Sequence, residues 1–329
     1  MVVEGRDRTR TQASDAAAQR AAARQERVAA GLDDLDRWLS DQVRNGLAGW
    51  ERAGYGPLDQ VASRLVDAQA PGAAGMVRSI ASEIGREDWP SRVLLALAGL
   101  HLLAKAHARL SVLPEDLAAT VRSRVGYTVG KESVLAGPPV SDRWCAVGSV
   151  DSVEYYLQTR RVWLWGGRTQ RWALWLAFAP PGRALDGSVA PGRTYVGDLH
   201  FYPGSGQFRA LPGEIQEIEE VQVPPALDLA AAAFRFAALV AEDPWADRMP
   251  VVLTGTPVEP GQTSGPWRFR DREGYACDLL GLEDDPWPLV AHAAAGPVNL
   301  LGEYGPAGLR PLAIMPDVRG RPFTPRLTP

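Results

Sequence analysis

The sequence predicts an α+β protein: an N-terminal all-helical domain followed by a mostly antiparallel β domain with one inserted helix. Three observations carry that prediction. Up to about residue 125, apolar residues recur at three- and four-residue spacing, the period of a helix face. From Trp144 onward, aromatic and β-branched residues gather in short runs separated by Gly/Pro clusters, the signature of strands. The period changes around Gly137-Pro138-Pro139, a Pro-rich connection of the kind that joins domains. With 329 residues, 46% of them apolar, the chain is long enough for two domains with separate cores. The expected divisions are a disordered leader over 1–15, a helical domain over 16–136, a β-rich domain over 141–315 and a Pro/Arg tail over 316–329.

The leader mixes charge with small polar residues and shows no apolar period. Strong helix formers run from Ala16 to Ala30, and Gly31 is expected to end or bend that helix. Leu32, Leu35, Leu39, Val43 and Leu47 then form one apolar stripe, with Asp33, Asp34 and Asp36 in a first turn that favours carboxylates. Leu58, Val61 and Leu65 mark a third helix, stopped by Ala70-Pro71-Gly72, and Met76, Val77, Ile80 and Ile84 a fourth. Pro90 suits the first turn of a helix through Val93, Leu94, Leu97, Leu100 and Leu103, apolar on several faces and so expected at the centre of a bundle. Leu117, Val121 and Val125 complete the helical series. Strands are expected at 144–150, 153–165, 172–178, 195–202, 251–254, 267–270, 275–280, 298–301 and 309–314. Gly166-Gly167 is expected to turn a hairpin, and Ala226 to Ala241 to form the inserted helix.

Charge and composition exclude several chemistries. The balance of 35 basic against 39 acidic residues, net −4, supplies no global field for a polyanion. Cys145 and Cys277 stand far apart, in neither a CxxC nor a CxC arrangement, so neither a cysteine-built zinc site nor a disulfide framework is expected. Cysteine usage suits a reducing compartment, and the apolar run Val93 to Leu100 is far short of the ~20 residues that span a bilayer; a cytoplasmic protein is expected. Gly126, Gly130 and Lys131 imitate a phosphate loop, but the glycine spacing is one residue short and Glu132 stands where Ser or Thr would reach magnesium, so an ordinary turn after a helix is expected. His101 and His107 differ by about 600° of helix rotation and cannot share a metal. Asp198 and His200 share a strand face, the minimum for a hydrolase dyad, but no nucleophile with a recognisable context accompanies them.

The densest segment runs from Arg160 to Trp175, where four Trp and four Arg crowd one hairpin. Trp and Arg dominate interface hot spots, which makes Trp163, Trp165, Arg168, Arg171 and Trp175 the partner-binding candidates. By strand parity Trp163, Trp165 and Trp175 are expected on one face, opposite Trp172, Leu174 and Leu176. The alternative is that one face packs the core, as the alternation of Trp172, Leu174, Leu176 and Phe178 suggests, while the arginines cover exposed indoles in the same molecule.

Four phrases stand in register along the chain: Gly31 to Leu47, Val66 to Gly72 (VDAQAPG), Asp198 to Gly204 (DLHFYPG), and Leu301-Gly302-Glu303-Tyr304 with Leu309 to Leu312. Together they resemble the region that follows the zinc motif in bacterial SWIM zinc-finger family proteins. The family's CxC and CxH ligands occur nowhere in this sequence, so the resemblance carries over no metal site. It suggests a family body whose finger is lost, truncated or encoded separately. It also implies a multi-protein assembly with a MoxR-type AAA ATPase and a von Willebrand factor A domain protein, and no reaction. The function expected is a non-catalytic adaptor or scaffold that uses no cofactor. The alternatives are a nucleic-acid-binding accessory protein and a hydrolase built on Asp198 and His200.

Overall fold

A computed structural model describes residues 3–315 except 51–53, 55, 87, 155–156, 221, 261–264 and 283–284, with side chains described from residue 19. The expected Pro/Arg tail lies outside the described residues. The chain divides into two compact units, 1–128 and 129–329.

In the first unit, α1 (Val3–Asn45) is continuous through both expected helices. It begins inside the segment expected as a disordered leader, which contains no Pro to stop a helix, and it runs through Gly31 without ending there. Gly31 is instead a point of close approach: a Cβ there would lie 2.4 Å from the Ala68 Cβ. Val28, Leu32, Leu35 and Leu39 form the buried stripe of α1, whereas Val43 lies beyond the packed face, 57% exposed. Next come α2 (Gly56–Asp67), α3 (Pro71–Ser79), α4 (Trp89–Ala108) and α5 (Glu115–Val125). Pro71 and Pro90 occupy first-turn positions, where a missing N–H costs nothing. The VDAQAPG phrase is a helix-to-helix corner: Ala70 is fully buried, and a Cβ on Gly72 would lie 2.2 Å from the Arg124 carbonyl oxygen. Only glycine lets α3 approach the end of α5 so closely. Gly126 ends α5 in a left-handed conformation, its N–H donating to Arg122 and Ser123, and so the phosphate-loop imitation is a helix C-cap.

Helix α4 is not enclosed on all sides. Val93, Leu97, Leu100, Leu103 and Ala104 are buried, but Leu94, Leu95 and Leu102 face solvent. Asp36 on α1 accepts from His101 Nδ1 at 2.5 Å and Lys105 Nζ at 2.7 Å on α4, tying the two helices. Burial pushes the Asp36 carboxyl up, but the bonds to Lys105 and His101 outweigh it and hold it below the ordinary range. His107 faces the other way, buried against the Tyr127 hydroxyl at 3.1 Å.

The second unit begins with the short helix α6 (Lys131–Leu135), which packs on the β structure, so the boundary precedes Gly137-Pro138-Pro139. Among the described residues, ten strands form two antiparallel sheets. The first has the order β3-β2-β1-β4-β5, from β1 (Val140–Glu154), β2 (Leu157–Gly166), β3 (Arg171–Ala179), β4 (Thr194–Phe201) and β5 (Ala210–Ile218). Its outer strands meet, since Leu174 N donates to Phe208 O at 2.7 Å beside a parallel bridge between Leu174 and Arg209.

After α7 (Leu229–Glu242), the second sheet uses β6 (Met249–Val258), β7 (Arg268–Arg270), β8 (Ala276–Asp278), β9 (Val298–Gly305) and β10 (Gly308–Met315). The helix α8 (Trp287–Ala293) precedes β9. The order is β10-β9-β6-β7-β8, and its outer strands also meet in parallel, at Leu279 and Leu309. The two sheets thus share one connectivity: a three-strand meander, then a hairpin whose first strand pairs the meander's first strand and whose second closes on its third. This is the wiring of a five-stranded Greek-key barrel, present twice.

Three apolar cores follow from this. One lies inside the first barrel around Trp144, Leu164 and Trp175, and one inside the second around Phe269, Leu253 and Leu300. The third lies where the barrels pack together, with Trp163 and Trp165 against Val252, Leu301 and Leu312.

Candidate functional site

The Trp/Arg hairpin is β2, a four-residue turn over 167–170, and β3, so the turn is longer than the expected Gly166-Gly167 pair. Its length sets the phase between the strands. Trp165 lies directly opposite Trp172, with ring centroids 5.0 Å apart, and Trp163 opposite Leu174. Trp175 lies opposite Val162 and points into the first barrel. The expected grouping of Trp163, Trp165 and Trp175 on one face is therefore corrected: alternation within each strand was right, but the phase between strands depends on the turn. Trp163, Trp165 and Trp175 are 2%, 3% and 5% exposed, so none of the three presents a free indole. The layer that covers Trp163 and Trp165 is the second barrel.

The hairpin's arginines are also engaged within the chain. Arg160 makes two 2.8 Å bonds to Asp151, Arg171 lies 3.5 Å over the Phe201 ring, and Arg168 donates to the Ser141 carbonyl. The turn is clasped by Asp142 on β1. Its carboxylate accepts from Arg143 N at 2.7 Å, Arg168 N at 3.1 Å, Thr169 N at 2.7 Å and the Thr169 hydroxyl at 2.6 Å. Burial alone would raise the Asp142 carboxyl, but the bonds from Thr169, Arg143 and Arg168 prevail and hold it below the ordinary value.

At the seam between barrels sits Glu303, 3% exposed. It accepts from Trp163 Nε1 at 3.0 Å, Arg161 at 3.1 Å and Arg248 at 3.4 Å. Burial depresses the Arg161 guanidinium, whereas the bond to Asp247 raises that of Arg248. A buried carboxylate needs partners of this kind. The visible signal was one acidic residue inside the apolar run Val298 to Leu312; the identity of its partners, distant in sequence, had no signal.

Beside this seam Trp165, Trp172 and Phe208 of the first barrel, with Met249 of the second and Leu239 of α7, line a partly open apolar cavity of about 140 Å³. Arg235 on α7 is the one charged residue of its lining among the described residues. Sequence reasoning did not find this space, because its walls come from five separate segments.

The remaining candidates are dispersed. Asp198 accepts from the Ser141 hydroxyl, and His200 Nδ1 donates to the Gly137 carbonyl at 3.0 Å, so the two have separate partners. Ser141 reaches Asp198 directly while the Nδ1 of His200 is turned to the Gly137 carbonyl, so the three do not form a Ser–His–Asp relay. Cys145 and Cys277 are free thiols; burial raises both, Cys277 to about 11. Among the described residues no group of three or more His, Cys, Asp or Glu is placed to hold a metal ion, and no helix is long and apolar enough to cross a membrane.

Taken together, these features define an α+β protein with a helical bundle and a twin-barrel unit in which Trp163, Trp165 and Trp175 of the Trp/Arg hairpin are buried while its turn is exposed. Residues 23–125, the greater part of the helical unit, match the family model of the SWIM-associated four-helix bundle domain. The resemblance seen in the sequence to SWIM zinc-finger family proteins is thereby supported, without the finger: the CxC and CxH ligands are absent from the sequence, and the residues present do not fit the family's zinc. No curated protein and no solved structure matches the chain.

Proposed function

We propose that this protein is a non-catalytic adaptor that binds a protein partner through the outer face of α4 in its SWIM-associated bundle. The observation that carries the reading is the apolar stripe of Leu94, Leu95 and Leu102, 51%, 72% and 46% exposed on a helix whose other face is fully packed. A helix that is apolar on its solvent side as well is suited to burying that side against another surface. Val112, just beyond the helix, is 69% exposed. A protein partner suits this face better than nucleic acid. The chain is net −4, and Arg171 and Arg209 stack on its own Phe201 and Tyr202.

By family resemblance, the partners to try are a MoxR-type AAA ATPase and a von Willebrand factor A domain protein. The experiment is co-expression of the tagged full chain with each candidate, compared with the double variant Leu95→Asp, Leu102→Asp. Both positions are exposed, so the variant should keep its helical circular dichroism. Capture lost in the folded variant supports the reading; equal capture by both places the interface elsewhere.

A further inference from the structure

The cavity beside the barrel seam has a chemistry of its own, independent of the adaptor reading. Its walls are two indoles, Trp165 and Trp172, together with Phe208, Leu239 and Met249, and its one charge is the guanidinium of Arg235. Trp165 is held rigidly, 3% exposed, and its ring meets that of Trp172 at an interplanar angle of 58°, so the wall is formed before any ligand arrives. At about 140 Å³ the space is close to the ~150 Å³ apolar cavity that admits benzene, and too small for a nucleotide or a sugar chain. Arg235 is an exposed residue, which allows its charge to stay hydrated while it borders the apolar chamber.

An apolar chamber bordered by a single cation selects an apolar body with one negative end. We propose that this cavity binds a small aryl or branched-alkyl carboxylate, with the apolar group against Trp165 and Trp172 and the carboxylate paired to Arg235. Neutral apolar molecules of the same size fill the chamber but leave the guanidinium without a partner. Larger anions are excluded by volume.

The test uses the full chain with phenylacetate and its neutral isostere phenylacetamide, followed by isothermal calorimetry and tryptophan fluorescence. Phenylacetate is expected to bind saturably, with a Kd of ~1 mM or tighter for a ligand of this size. Phenylacetamide is expected to bind about tenfold more weakly, equivalent to about 1.4 kcal/mol. Arg235→Gln, at an exposed helical position, should weaken phenylacetate by a similar factor and leave phenylacetamide unchanged. Absence of saturation by phenylacetate overturns the proposal. So does equal affinity for both compounds, or unchanged phenylacetate binding by Arg235→Gln.

Discussion

Replacing Asp142 by alanine should loosen the β2–β3 hairpin without touching its apolar contacts. The carboxylate accepts three backbone N–H bonds and one hydroxyl bond, and the residue is 6% exposed. Bonds to a charged acceptor contribute roughly 1.5–3 kcal/mol each, but the turn over 167–170 lies at the surface, where freed donors regain water. A net loss of about 2–4 kcal/mol is expected. Urea unfolding followed by tryptophan fluorescence reads the right unit, because eight of the eleven tryptophans lie beyond Thr128. The pH dependence provides a second check. The folded carboxyl titrates below the ordinary aspartate value of 3.8, so its stabilisation is complete above 3.8 and is lost as the pH falls below that value and through the folded pKa. The penalty of Asp142→Ala must therefore shrink in that acid window. A loss under ~0.5 kcal/mol at neutral pH, or a penalty that stays constant as the carboxylate protonates, would refute the clasp.

Glu303→Ala should cost about 3–5 kcal/mol, since it strands the Trp163 N–H and the half-buried Arg161 guanidinium at the barrel seam while Arg248 keeps Asp247, and Glu303→Gln should cost less; chemical denaturation distinguishes them. In the bundle, Gly72→Ala should lower the thermal midpoint markedly, because its Cβ would collide with the Arg124 carbonyl, whereas Gly75→Ala, with open space around it, should not. His107 titrates below the ordinary 6.5 because burial and Arg122 disfavour its charge, so bundle stability should fall as pH drops from 6.5 toward its folded value. His107→Gln should flatten that slope in a far-ultraviolet circular dichroism series. Elemental analysis of gel-filtered protein should find no stoichiometric zinc, and about one tightly held zinc per chain would contradict the reading of the ligand residues.

The sequence by itself determined the order and type of most elements. Helical period through Val125 and strand period from Trp144 both report burial on one face of a local segment, and burial of this kind is written in residues a few positions apart. Turn chemistry was equally local where it concerned caps, as at Pro71, Pro90 and Gly126. The family phrase around Gly72 was legible as a pattern, but its cause, the approach of α3 to the end of α5, was not. Tertiary structure decided what depended on distant pairing. Gly31 was open to a break until Ala68 was brought against it. The phase of Trp175 relative to Trp165 followed from the length of one turn. Whether the hairpin's indoles faced water depended on a second barrel whose strands begin at Met249, and the repeated barrel wiring is a matter of which distant strands pair, which no local period records. The cavity at Trp165 and Arg235 is of the same kind. Its walls are far apart in sequence, and no local period records the space that is left when two barrels and a helix pack together.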